Sequence, residues 1–138
     1  MKNIHAVKML NIFKFECFDR HGRLKWTEEV PNLVVDQGLN DLLDKYLKGS
    51  GYTASFFVGL IDNAGFTAIA AGDDAAGISA SPGNGWDESS AYTESVRQTL
   101  TLGAVAAKSV DNSASKAAFS INATVVVRGA FVGDNNVK

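Results

Sequence analysis

The sequence predicts a mainly β, antiparallel domain with one amphipathic helix, and three observations carry that expectation. Residues 86–132 alternate apolar and polar side chains over long runs and are rich in Ser, Thr and Ala. Residues 9–29 hold two more alternating runs around a glycine-bearing turn. One stretch, 36–48, carries the period of a helix. Alternation sends successive side chains to opposite faces of a strand, whereas an i, i+3, i+4, i+7 pattern gathers them on one side of a helix.

Met9, Phe13, Phe15 and Cys17 share one parity and Lys14 and Glu16 the other, as in a half-buried strand. Asp19-Arg20-His21-Gly22 is turn chemistry, since Gly22 takes positive φ at no steric cost. Leu24, Trp26 and Glu28 against Lys25, Thr27 and Glu29 continue as the return strand of a hairpin, which Pro31 is expected to end. Asp36 then reads as an N-cap, its carboxylate accepting from an orphan amide of the first turn. Leu39, Leu42, Leu43, Tyr46 and Leu47 form one apolar stripe, expected to pack on a sheet. Asp41 with Lys45 and Asp44 with Lys48 are acid-before-base pairs four residues apart, and Gly49 supplies the stop.

Residues 54–61 are apolar at both parities, which fits a strand covered on both faces. A long Gly, Ala, Asp and Ser-rich loop follows over 62–85, within which 68–71 reads equally as a short strand or a helical turn. Residues 95–102 place Val96, Leu100 and Leu102 on one face and Arg97, Thr99 and Thr101 on the other. Residues 111–115 form a turn. Ala117 to Val132 is the cleanest strand signal, with Gly129 marking a bulge or bend. This strand is expected to pair inside a sheet, and the polar 133–138 tail to be exposed.

At 138 residues, with neither an internal repeat nor a linker, the chain reads as one domain with a flexible N-terminal arm, 1–8. A net charge of −2 gives no field to hold nucleic acid or anionic lipid. No apolar run approaches the roughly 20 residues of a membrane span, and the lysine-interrupted start lacks a signal-peptide core. Neither a nucleic-acid nor a membrane partner is therefore expected, and synthesis in a cytoplasm is. The lone Cys17 permits no intrachain disulfide and reads as a small buried hydrophobe.

Reactive constellations are missing from the pattern. His5 and His21 are the two histidines, in the arm and in a turn, with no ligand partner at metal-binding spacing. Asp73-Asp74 and Asp87-Glu88 offer paired carboxylates, but the irregular loop favours solvated acids over acid–base chemistry or a Ca²⁺ site. Gly83-Asn84-Gly85 lacks the spacing of a phosphate loop. The sequence thus points away from an enzyme and requires no cofactor or metal. Phe66, Trp86 and Tyr92 flank the long loop and suit either a partner contact or the closed end of a core. Ile4 and Val7 in the arm join them as candidate contacts, because arm and loop can order on binding.

Several segments also resemble, in order, a family of tailed-phage virion proteins. They are Gly38-Leu39-Asn40 with Leu42-Leu43-Asp44, residues 52–60, Trp86 with Glu88-Ser89 and Ala91-Tyr92, Arg97-Gln98-Thr99-Leu100, residues 109–115 and Val127-Arg128-Gly129-Ala130-Phe131. The chain most resembles the capsid cement, or decoration, proteins of Bordetella-type podophages. That resemblance implies an antiparallel jelly-roll-like β-sandwich, a homodimer bound outside the capsid to the major capsid protein, and no catalytic residues. A tail or receptor-binding component using Trp86 and Tyr92 to stack on host-surface sugar is the alternative.

Overall fold

A computed structural model describes residues 9–51, 55–78 and 83–138. Strands β1 (Asn11–Phe18) and β2 (Leu24–Asn32) form an antiparallel hairpin, helix α1 (Asp36–Leu47) follows, and β3 (Phe57–Asp62), β4 (Gln98–Thr99) and β5 (Val127–Gly133) form a second antiparallel sheet in the order β4-β3-β5. The chain is therefore mainly β, with two antiparallel sheets and one helix.

The hairpin forms where alternation places it. Gly22 closes its turn at φ 76°, and the Asp19 carboxylate accepts from the amides of His21 and Arg23 at 2.8 and 3.0 Å. Pro31 does not end β2. The strand runs through it to Asn32, with Pro31 opposite Ile12. A two-stranded ribbon leaves one edge of each strand unpaired, and an edge tolerates a residue without an amide hydrogen.

The helix keeps its predicted length but not its predicted cap or packing. Val35, in extended conformation, occupies the N-cap position without a side-chain bond, and Asp36 is the first helical residue. The Asp36 amide instead donates to the Ala71 carbonyl at 2.8 Å, tying the helix start to the long loop. Both acid–base pairs form, at 3.9 Å for Asp41–Lys45 and 3.0 Å for Asp44–Lys48, and Gly49 sits at φ 72° beyond the last turn. The apolar stripe, however, is not laid on a sheet. Leu39, Leu42, Leu43, Tyr46 and Leu47 are all exposed, and the helix buries no residue.

Strand β3 is the centre of the fold and is covered on both faces. Val58 and Leu60 join Tyr92 and Ala130 in the core, against which Phe13 and Phe15 of the hairpin, Leu100, Phe119 and Val127 pack. The opposite face carries Gly59 and Ile61, with Phe131 paired beside Gly59 and Trp86 stacked on Phe131 at 5.2 Å between ring centroids. Arg128 is the extra residue of a bulge between Val127 and Gly129, where the glycine marks it.

Strand length is where pattern and structure differ most. Residues 117–126 make no strand, only an isolated bridge between Ile121 and Tyr92, so β5 is confined to Val127–Gly133. It pairs with β3 alone and is an edge strand, not an interior one. The 95–102 run shrinks to the two residues of β4, and its faces hold only in part: Leu100 packs on the core and Thr99 and Thr101 are exposed as expected, but Arg97 is buried while Val96 and Leu102 are exposed. Residues 68–71 form neither strand nor helix but run into a turn. The 133–138 tail is exposed from Asp134 onward, as expected, yet it is tied down. The Arg97 amide donates to the Asn136 carbonyl, and Lys138 Nζ donates to the carbonyls of Tyr92 and Glu94, both at 2.9 Å. No helix among the described residues is long and apolar enough to cross a membrane.

Candidate functional site

A cavity of about 470 Å³ lies between α1, the Leu33–Val35 segment that precedes it, the loop residues Ile69, Asp73 and Ile78, and the Ile61–Trp86–Phe131 face of the second sheet. The helix turns Gln37, Gly38, Asp41, Leu42 and Lys45 toward this space. Mostly polar helix positions thus face the fold, with Leu42 beside them, while Leu39, Leu43, Tyr46 and Leu47 of the apolar stripe face outward, the reverse of the usual arrangement.

Two buried polar pairs make the floor. The Trp86 indole N–H donates to Asp73 Oδ2 at 2.8 Å, and the same oxygen accepts from the Ala70 amide at 2.9 Å. Asp73 is buried, so the expectation of a solvated loop acid fails there: one carboxylate ties the loop to the sheet through an indole. Glu88 is likewise not solvated. Arg97 Nε donates to both of its oxygens at 2.9 and 3.1 Å and Nη2 to Oε2 at 2.7 Å, with the side chains only 6% and 7% exposed. Arg97 Nη1 donates to Asn135 Oδ1 at 2.6 Å, and the guanidinium lies 4.9 Å from the Phe131 ring centroid.

The chain's path explains this pair. One edge of β3 is taken by β5. The other is shared by Gln98–Thr99 at its start and by residues 87–89 at its end, where the Asp62 amide donates to Asp87 and the Ser89 amide to Leu60. The 89–96 segment loops out between these attachments, and Glu88–Arg97 closes its base. Gly59 is required beneath it: a Cβ there would collide with the Phe131 ring and meet Glu88 Oε1 at 2.8 Å.

The sites proposed from sequence are not gathered at one place. Trp86 and Tyr92 are buried, at 6% and 1% exposure, and their rings are taken up by intramolecular packing. Tyr92 meets Phe119 edge-on at 5.0 Å. Its hydroxyl has no partner within hydrogen-bonding geometry; burial, then the nearby Glu88 carboxylate, pushes its pKa up to about 12. Phe66 is half-buried beneath the Arg128 guanidinium at 4.8 Å. Ile4, Val7 and His5 lie outside the described residues. His21 is exposed in the hairpin turn, where its Nε2 accepts from Arg20 Nε, and Cys17 is partly buried. Among the described residues no three His, Cys, Asp or Glu side chains converge as metal ligands would.

Chemically, the charged groups at the cavity floor are spent on one another, on an indole and on backbone amides. What the cavity offers besides is a largely apolar wall, with Asn11, Asn32, Gln37, Asp41, Lys45, Asp74 and Asp134 also on its lining. Asp73–Trp86 and Glu88–Arg97 were hidden from sequence reasoning because each joins residues brought together by the β3 edge and not by local spacing. Comparison of the chain with models of known families, with curated proteins and with solved structures found no match.

Proposed function

We propose that this chain is a non-enzymatic structural protein of a tailed-phage virion, which binds the outside of the capsid and cements neighbouring capsomers. The observation that carries the reading is apolar surface in excess of what the fold itself can cover. Among the described residues 21 large apolar side chains are exposed, while six apolar residues form the buried core. Large apolar side chains left bare in this number are surface that binding to a partner can cover.

In this reading the two antiparallel sheets belong to a jelly-roll-like sandwich, the major capsid protein is the principal partner, and the protein acts as a homodimer. Each copy buries modest area on one capsomer. The second contact of a dimer is then intramolecular, so bridging affinity rises through effective concentration without further contacts. A sugar-stacking role through Trp86 and Tyr92 has nothing in its favour, because both rings are buried.

The test is binding of the purified chain to emptied capsids of the parent phage, followed by cryo-EM. The reading expects density outside the shell at junctions between capsomers. Density confined to the tail, or no binding to shells, refutes it. Deleting residues 1–8 in the same assay tests the arm that carries Ile4 and Val7; unchanged binding removes the arm from the contact.

A further inference from the structure

We infer that residues 1–8 of this same chain strap across the cavity between α1 and the second sheet, seating Ile4 and Val7 on its apolar wall. The inference does not depend on the cementing reading. Its first support is the point where the chain enters. Residues 1–8 lead directly into Met9, and Met9 is itself on the lining, with Asn11 and Asn32 of the hairpin's open end. Eight residues reach roughly 26–29 Å when extended, well beyond the width of a space of about 470 Å³. Five large apolar residues of the lining, Met9, Leu33, Leu42, Ile69 and Val132, are left 37–50% exposed. Concave apolar space of this size is what takes up a ligand or a peptide segment.

The chemistry of the lining matches this segment. Asn11, Asn32 and Gln37 set side-chain carboxamides around the wall, each able to donate to and accept from the backbone of an incoming peptide. Asp74 and Asp134 stand on the lining with no ion-pair partner among the described residues, and Asp41 has Lys45 only at 3.9 Å. Residues 1–8 bring Lys2 and Lys8 and none of the chain's 15 acids. Opposite charges around an apolar contact set which segment docks and in what register, more than they add affinity. The stretch that leaves lining residue Ile78, 79–82, is Ser-Ala-Ser-Pro and offers neither apolar bulk nor charge. Seated this way, residues 1–8 cover apolar surface in the free chain. A partner that takes up Ile4 and Val7 must first draw them out.

The experiment is paramagnetic relaxation enhancement on the full chain. A nitroxide is attached at Asn3→Cys in a Cys17→Ser background, which leaves Ile4 and Val7 intact. The amides of Gly38, Lys45, Ile69 and Val132 are expected to broaden strongly, and those of Arg20 and Gly22, at the far end of the hairpin from Met9, are not. Tethering to Met9 alone also brings the label near the cavity, so the same labelled chain is measured with Ile4→Asp/Val7→Asp. Loss of two apolar anchors is expected to cut the seated population, and with it the broadening at Lys45 and Ile69, about tenfold or more. Far-UV circular dichroism of that variant is expected to match the wild type. Broadening that survives the double variant, or that misses the cavity amides, overturns the inference. So does equal broadening of an isotope-labelled chain by a separate spin-labelled chain, which seats the segment in another copy. Every readout is taken on the free chain, so the result holds whether or not the protein binds capsids.

Discussion

Removing either side chain of the buried Glu88–Arg97 pair should cost this fold dearly, and Arg97 is the sharper test. Arg97→Met leaves the Glu88 carboxylate, 6% exposed, without the three N–H contacts at 2.7–3.1 Å that hold it, and frees Asn135 and the tail behind it. Stranding one partner of a buried ion pair costs about 3–5 kcal/mol. That is a large share of the roughly 5–15 kcal/mol typical of a domain, and this core is small. Glu88→Leu should cost a similar amount, because the guanidinium is then the stranded charge. The double variant should lose far less than the two single losses combined, since both desolvation penalties leave together; a coupling of about 2–3 kcal/mol is expected. The pair is also shielded from salt, unlike the exposed Lys14–Glu29 pair at 3.9 Å. Urea unfolding of the four proteins, followed by tryptophan fluorescence at low and high salt, measures all of this. A loss under about 1 kcal/mol for Arg97→Met, or simple additivity in the double variant, refutes the reasoning.

Three further outcomes are expected. Gly59→Ala should destabilise by about 1–3 kcal/mol in the same urea assay, because its Cβ has no space between Phe131 and Glu88. Lys108→Gly should stabilise by about 0.5–1 kcal/mol: Ala107 and Lys108 hold φ of 49° and 64° at the tip of a tight turn between Ala106 and Ser109, a region that disfavours side chains. The pH dependence has two limbs. Tyr92, raised from 10 to about 12 by burial and then by Glu88, contributes stability that is complete below pH 10 and lost as pH rises toward 12; Tyr92→Phe should abolish the latest component of the 295 nm tyrosinate titration. Glu16, lowered by its bond from Lys116, and Asp19, lowered by bonds from Arg23, contribute stability that is present above their ordinary values of 4.5 and 3.8 and lost as pH falls below them. An acid limb unchanged in Lys116→Met would remove Glu16 from that account.

Legibility followed the range of the interactions concerned. The first hairpin, its Gly22 turn, the extent of α1, its two ion pairs and the Gly49 stop are set by residues within a few positions of one another, and all were readable. The both-parity apolar run of β3 also announced its burial. What failed was anything that depended on which distant segment lies alongside. Arg97 sat on the polar parity and so read as solvent-facing, yet the β3 edge brings Glu88 and Asn135 to it. Asp73 read as a loop acid until the fold set the Trp86 indole beside it. Residues 117–126 alternate as well as any strand, but alternation reports a chain with two faces and not the presence of a neighbour to hydrogen-bond.

By itself, then, the sequence determined a mainly β chain with one amphipathic helix and little net charge, because composition and short-range periodicity are properties of the chain alone. Tertiary structure decided which side of the helix faces the fold, which acids are buried and which aromatic rings are spent in the core. The physical reason is that burial and ion pairing are settled by neighbours across sheet edges. The stripe on α1 shows both sides of this: its period is written in Leu39, Leu43, Tyr46 and Leu47, but only the fold shows that those residues are left facing outward.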